Sequence, residues 1–414
     1  MIRKRKSTFK PCLEILEDRT LPSNYSAATV SDLIADINAA NAAGGTNTIT
    51  LTAPTASPYV LTAVDNSTDG ANGLPVIAKK DILTIIGNGD TIERSSGAAF
   101  RLFDVASAGS LTLQNLTLQN GLASGSGSSA EGGAIHNQGT LVLSGVTVQS
   151  NTAQGSDGAN NQAGEDGSGG GVWSASSVTL DNGTLLENNR AIGGDGGGSC
   201  QKIGGVGGNA YGGGLYVAGG TANLSGVTVN NNIAQGGEGG WSCYQIYFVF
   251  NSTGNASGGG IYVAAGTLTL SSDTVDGNLA DACAGRGGPG YALGGGLYVA
   301  AGNVTLSADM VASNVARTAP TYPIAAEGGG IYIASKATVT LCNDTVQSNT
   351  ADDTCGNIFG GNTFSSYGAG IYIQSGATVY IDSFTVAHTI NNTVSPGANG
   401  STANIDGTYI LQSC

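Results

Sequence analysis

The chain has 414 residues, 68 of them Gly, with 40% hydrophobic and 11% charged residues and a formal net charge of −14. That hydrophobic content is too high for simple disorder, and the glycines keep no G-X-Y period, which excludes a collagen-like chain. No run of 18 apolar residues is present to span a bilayer, the longest candidate being YQIYFVF at 244–250.

Residues 1–23 differ in kind from the rest. MIRKRKSTFK carries five of the fifteen basic residues, and CLEILEDRTLPS follows. The segment lacks the apolar stretch of about 7–15 residues that a Sec signal peptide needs, so it reads as a charged targeting tail. It resembles the N-terminal LE-x-LEDR-x-x-PS segment of planctomycete surface and secreted proteins, which implies export. Without it the body keeps nine basic and 26 acidic residues, a net −17. Such a body repels nucleic acid and anionic membrane, so neither is an expected partner.

Residues 24–131 read as the start of a solenoid. VSDLIADINAANAAGGTNTITL (30–51) predicts a short amphipathic helix with Leu33, Ile34 and Ile37 on one face, then a strand. It resembles the capping segment found before such repeats in secreted bacterial proteins. A helix there would cover strand edges that otherwise pair with other chains. GLPVIAKKDILTIIGNGDTIERS (73–95) and SLTLQNLTLQNG (110–121) read as early coils.

Seven copies of a Gly-rich motif fill residues 132–393: GGAI, GGGV, GGGL, GGGI, GGGL, GGGI and GAGI. Their aliphatic anchors are Ile135, Val172, Leu215, Ile261, Leu297, Ile331 and Ile371, spaced 34 to 46 residues apart. Six copies close on Asn151, Asn189, Asn232, Asn278, Asn314 and Asn349, each 16 to 18 residues past its anchor. A core of constant length with variable Gly-rich inserts is the mark of a repeat architecture. Within the core, period-2 alternation points Ile261, Val263, Leu268, Leu270 and Val275 inward, and Tyr262, Thr267 and Thr269 outward. Three short strands per core would make one coil, and each coil needs a neighbour about 4.8 Å away to bury its inner face. A seven-bladed propeller is the rival architecture, but it needs a fourth strand that inserts rich in Gly, Ser and Asp do not supply. The expected fold is therefore all-β, a right-handed parallel β-helix with a short N-terminal helical cap. Residues 394–414 contain NIDGTYILQSC, which reads as a last partial coil.

The GGAI-type start and aliphatic-x-x-Asn close resemble the repeats of chlamydial polymorphic outer-membrane proteins, within the pectate-lyase-like superfamily of β-helices. The likeness covers about 260 residues and implies the fold. That family's closing motif carries Phe where this chain has Val or Leu, and no autotransporter barrel is expected after the repeats.

Four groups of residues bear on function. The closing Asn residues fit a left-handed turn and would form an amide ladder between coils. The residues after the anchors, His136, Trp173, Tyr216, Tyr262, Tyr298, Tyr332 and Tyr372, form an outward aromatic column. Stacked rings stabilise neighbouring strands, and an open column would also suit sugar rings or a partner protein. Asp273, Asp309 and Asp344 repeat two residues before the closing aliphatic, so stacking sets them at glycosidase-like spacing. Any repeated residue acquires that spacing, so the plainer reading is a turn Asp, with a bound cation such as calcium as a further alternative. Cys200 and Cys243 both lie 28 residues after an anchor, which makes them a candidate disulfide.

No CxxC or Cys/His spacing supports zinc, and neither His136 nor His388 builds a recognisable triad or metal set. The Asn-Thr-Asp, Asp-Asp and Gly-His-Gly patterns of pectin-cleaving β-helices, taken in order, are absent, and Asp352-Asp353 stands alone and reads as a solvated turn. Only five Lys or Arg lie beyond residue 103, few for a lyase that needs a base. The sequence therefore points to an exported, non-catalytic adhesin-like or structural surface protein that binds carbohydrate or protein. The alternative is a polysaccharide lyase or glycoside hydrolase using insert carboxylates. Ligand, export route and oligomeric state are not legible.

Overall fold

The computed structural model describes residues 22–54, 57–200, 203–243, 249–283, 288, 290–318, 325–354, 366–394 and 403–414. Nearly all of the tail, with Cys12 and the LEDR segment, falls outside these residues, as do Cys355 and 244–248 of the YQIYFVF stretch. The chain is an all-β parallel β-helix. One repeat illustrates the coil: Ile261–Val263 and Thr267–Ser271 lie in a first sheet, Thr274–Asp276 in a second, Leu279–Asp281 in a third and Ala292–Leu293 in a fourth. Every one of these strands pairs in parallel with its counterpart one coil on, Ile261 with Leu297, Thr267 with Asn303, Val275 with Val311, Ala280 with Ala316 and Ala292 with Ala326. Parallel pairing between copies is what a solenoid requires and excludes propeller blades, whose strands are antiparallel.

The three strands expected for each core are present, and the insert adds two more. The first extra strand follows the closing Asn and the second precedes the glycine cluster. Sequence periodicity misses them because each spans two or three residues in most coils and carries Ala rather than a branched aliphatic. Ala191, Ala234, Ala280 and Ala316 face Ala210, Ala256, Ala292 and Ala326, and Ala351 and Ala369 continue the cluster, all fully buried. This second core is narrow because its side chains are small, and only Ala or Gly fits two sheets packed so closely.

The main core holds the residues that alternation points inward. Ile261, Val263, Leu268, Leu270 and Val275 are all buried, while Thr267 is exposed and Tyr262 and Thr269 are half-buried. At the N-terminal end, helix α1 (Val30–Ala43) is capped by Thr29, whose hydroxyl accepts from the Asp32 N–H while the Asp32 carboxylate accepts from the Thr29 N–H. Leu33, Ile37 and Ala40 are buried against the core and Ile34 packs at its edge. A strand the sequence did not announce, Ser23–Ala27, precedes the helix and pairs with 45–51. At the other end Ile405–Asp406 and Ile410–Leu411 pair with Ile371–Tyr372 and Tyr380–Ile381.

The described parts of the inserts between 155 and 256 form a hydrogen-bonded layer instead of loose loops. Gly194 donates to the Glu165 carbonyl, Gly208 to Gly194, Gly237 to Gly208 and Gly254 to Gly237, at 2.8–3.0 Å. A Cβ at any of these four glycines would collide with neighbouring backbone, which explains the composition of the inserts. No helix of the described residues is long and apolar enough to cross a membrane.

Candidate functional site

The closing Asn residues are inward-facing ladder residues, and the left-handed turn expected of them lies one residue earlier. Ser150, Asn188, Asn231, Gly277, Ser313, Ser348 and Asn391 carry φ between 52° and 65°. That turn aims the following Asn into the coil. Asn278 then donates its backbone N–H and its side-chain amide to Asn314 Oδ1, both at 2.9 Å, and its second amide hydrogen to the Val229 carbonyl at 2.8 Å. The same pattern repeats from Asn151 through Asn392, all buried. A fully satisfied buried amide column specifies register as well as stability.

The Asp column is equally committed to the backbone. Asp309 accepts from the N–H groups of Asp273 at 2.7 Å and Ser307 at 2.7 Å; Asp344 accepts from Asp309 and Cys342, and Asp273 from Val227 and Ser271. All three are at most 2% exposed. Burial pushes the Asp309 carboxyl up to about 7 and Asp344 to about 6, against the lowering effect of those N–H bonds. Asp273 is raised for the same reason. The geometry is that of a turn residue, with both oxygens of each carboxylate turned to backbone donors and away from solvent. Asp352 ends the strand Thr350–Asp352, and Asp353 beside it is buried, so this pair is not a solvated turn.

The aromatic column is continuous. His136 stacks on Trp173 at 4.6 Å, and ring centroids then follow at 6.3, 5.0, 4.8, 4.8 and 5.1 Å through Tyr216, Tyr262, Tyr298, Tyr332 and Tyr372. From Trp173 to Tyr332 successive planes lie within 7° of parallel. Each ring face is therefore covered by the next ring, and only edges and hydroxyls remain for a ligand. Strand register extends the column by a carboxylate at each end, Asp104 beside His136 and Asp406 beside Tyr372. Sequence reading missed both, because Asp104 and Asp406 follow no glycine cluster.

A second column from the fourth sheet runs alongside: Glu131, Ser168, Tyr211, Ser257, Leu293, Glu327 and Tyr367. Tyr211 tilts against Tyr216 and Tyr262. Burial raises the pKa values of Tyr211, Tyr216, Tyr262, Tyr298, Tyr332 and Tyr372, with Tyr216 and Tyr372 at about 12. Burial, then the Asp406 charge, lifts Glu327 to about 7. Near the N-terminal end the two columns and an insert enclose a cleft of about 460 Å³, with Glu131, Glu165, Asp166, Ser168, Tyr211 and Tyr216 in its walls.

Beside that cleft, His136 Nδ1 lies 2.9 Å from Asp104 Oδ1 and Nε2 lies 3.5 Å from Glu131 Oε2. Burial disfavours the imidazolium, but the Asp104 and Glu131 contacts outweigh it and hold the His136 pKa above its ordinary value. Asp69, Asp104 and His136 bring three donor atoms within 4.8 Å of one another. Sequence spacing could not reveal this set, since Asp69 sits in a loop of an earlier coil.

Disulfides join Cys200 to Cys243, with Cα atoms 4.5 Å apart, and Cys342 to Cys414, 5.8 Å apart; Cys283 is disulfide-bonded as well. Comparison with protein-family models, with curated proteins and with solved structures finds no match.

Proposed function

We propose that this protein is an exported, non-catalytic surface protein, adhesin-like or structural, with the β-helix as a rigid spacer and the groove between the two columns as its contact face. The observation that carries the reading is the aromatic column itself, half-buried over most of its length and flanked by polar side chains. Its covered faces do not suit flat stacking of sugar rings. Its edges and hydroxyls suit hydrogen bonding to an extended carbohydrate or protein strand laid along the groove. The disulfides support an oxidising compartment outside the cytoplasm. The commitment of the Asp column to backbone N–H groups favours a structural use of those carboxylates.

Retention of the purified full chain on immobilised neutral and acidic polysaccharides, with antibody labelling of intact producing cells, tests this reading. Surface labelling with binding that weakens in Tyr262→Phe and Tyr298→Phe supports it. Labelling only after cell lysis contradicts export, and binding indifferent to both variants contradicts the groove. A hydrolase or lyase reading draws on the cleft, where Glu131, Glu165 and Asp166 surround a space beside two tyrosines. It predicts product release abolished by Glu165→Gln or Glu131→Gln.

A further inference from the structure

We propose that Asp69, Asp104 and His136 form a binding site for one divalent first-row transition-metal ion, with Glu131 as the outer carboxylate that orients the histidine. The site is built from three directions. Asp104 and His136 are register partners on adjacent coils of the first sheet, so their side chains project to the same side one strand spacing apart. Trp173 stacks on the imidazole at 4.6 Å with planes 16° apart, which fixes the ring plane. Asp69 comes from a loop pinned by Asn72, whose amide donates to Asn66 Oδ1 at 2.8 Å and to the Thr68 carbonyl at 2.7 Å. Arg101 holds the Asp69 carbonyl at 2.7 Å.

Polar accounting at this site favours cation binding. Asp104 and His136 are both fully buried, and Asp104 Oδ2 has no hydrogen-bond partner. A buried carboxylate oxygen without a donor is costly, and Asp104 Oδ2 differs from others of its kind in this chain in facing a second carboxylate and an imidazole. With the imidazole neutral, as a metal ligand requires, Asp69, Asp104 and Glu131 carry three negative charges against one positive charge on Arg101, a local balance of −2 that a divalent ion would neutralise. The donor atoms all lie within 4.8 Å of one another, close enough to share one ion at metal–ligand distances of about 2.0–2.2 Å. With Nδ1 on the metal, Nε2 faces Glu131 Oε2 at 3.5 Å, a gap that a small shift of Glu131 would close to a hydrogen bond. A carboxylate on the far ring nitrogen is the usual partner of a metal-bound histidine.

One imidazole and two carboxylates suit Zn²⁺ or Mn²⁺. Calcium is a poor fit, because it takes about six to eight oxygen ligands and this pocket supplies two carboxylates and a nitrogen. The site lies outside the Asp273–Asp344 column and does not depend on the function proposed above.

The test is a calorimetric titration of the chelator-treated full chain with Zn²⁺, repeated with Ca²⁺. The expected result is one Zn²⁺ per chain and at most weak Ca²⁺ binding. Asp69 is the least buried of the three ligands, so Asp69→Asn is expected to keep the fold while weakening Zn²⁺ binding by at least about tenfold. His136→Gln should do the same, and His388→Gln should bind as the unaltered chain does. Substitution with Co²⁺ should give a visible absorption band that Asp69→Asn abolishes. The proposal is overturned if no zinc is retained, if Asp69→Asn binds undiminished, or if several ions bind with no dependence on Asp69 and His136.

Discussion

The side-chain amide of Asn278 lies 2.9 Å from Asn314 Oδ1, the same oxygen that accepts the Asn278 backbone N–H. One acceptor thus satisfies two buried donors of the preceding coil. Asn314→Ala would leave both donors unpaired and remove one donor from the Val275 carbonyl. Each orphaned buried group costs about 1–3 kcal/mol, so a loss of about 3 kcal/mol or more is expected from urea unfolding. A loss under about 1 kcal/mol would show that the ladder is dispensable.

Two glycines next to this ladder should respond differently. A Cβ at Gly296 would sit 2.8 Å from the Gly330 carbonyl oxygen and 2.9 Å from Asn314 Cγ, so Gly296→Ala must push the ladder aside and destabilise. Gly277 has φ +65°, and the same position one coil earlier is Asn231 at φ +52°. Gly277→Asn should therefore change the unfolding midpoint little. Equal losses from the two changes would contradict the stated cause.

The aromatic column should behave as packed structure. Tyr298 stacks on two neighbours, each at 4.8 Å, and such pairs stabilise by about 0.5–1.5 kcal/mol each beyond the area they bury. Tyr298→Ala is expected to cost about 2–4 kcal/mol, and Tyr298→Phe, which keeps the stack, under about 1 kcal/mol. Thermal unfolding of both variants separates ring from hydroxyl. A tolerated Tyr298→Ala would mean the column carries little of the fold.

Stability should fall as pH rises through the weakly acidic range. Asp309 and Glu327 are raised to about 7 and Asp344 to about 6, burial being the first cause in each. A carboxyl whose pKa is raised on folding binds its proton more tightly in the native state. Its stabilising contribution is complete below the unfolded value of about 4 and is lost as pH climbs to the folded value. Unfolding midpoints should therefore decline between about pH 4 and pH 7, and Glu327→Gln should flatten the decline. A midpoint that rises steadily over that range would contradict the assignment.

The architecture was legible wherever a large side chain repeated. Ile261, Leu268 and Val275 have aliphatic counterparts in most coils, and alternation places them inward without ambiguity. The Ala280 and Ala292 strands were not legible, because a small residue in a two- or three-residue strand leaves no periodic signal and sits among glycines. The closing Asn column was found, but its conformational role was misplaced by one residue. Asn, Ser and Gly all occupy the left-handed position before it, so the invariant Asn drew attention away from the variable turn. The aromatic column was visible as a spacing, whereas its covered ring faces are a matter of rotamers. Asp104 and Asp69 lie outside the repeats, and only the stacking of coils brings them to His136.

The most direct test of the account is incubation of the purified full chain with a panel of neutral and acidic polysaccharides, with and without added Ca²⁺ or Zn²⁺. Release of reducing ends and absorbance of unsaturated uronate would be followed together. A non-catalytic surface protein predicts no product from any substrate under any of these conditions. Product that appears with the chain and disappears in Glu165→Gln would contradict it and make the acidic cleft an active site.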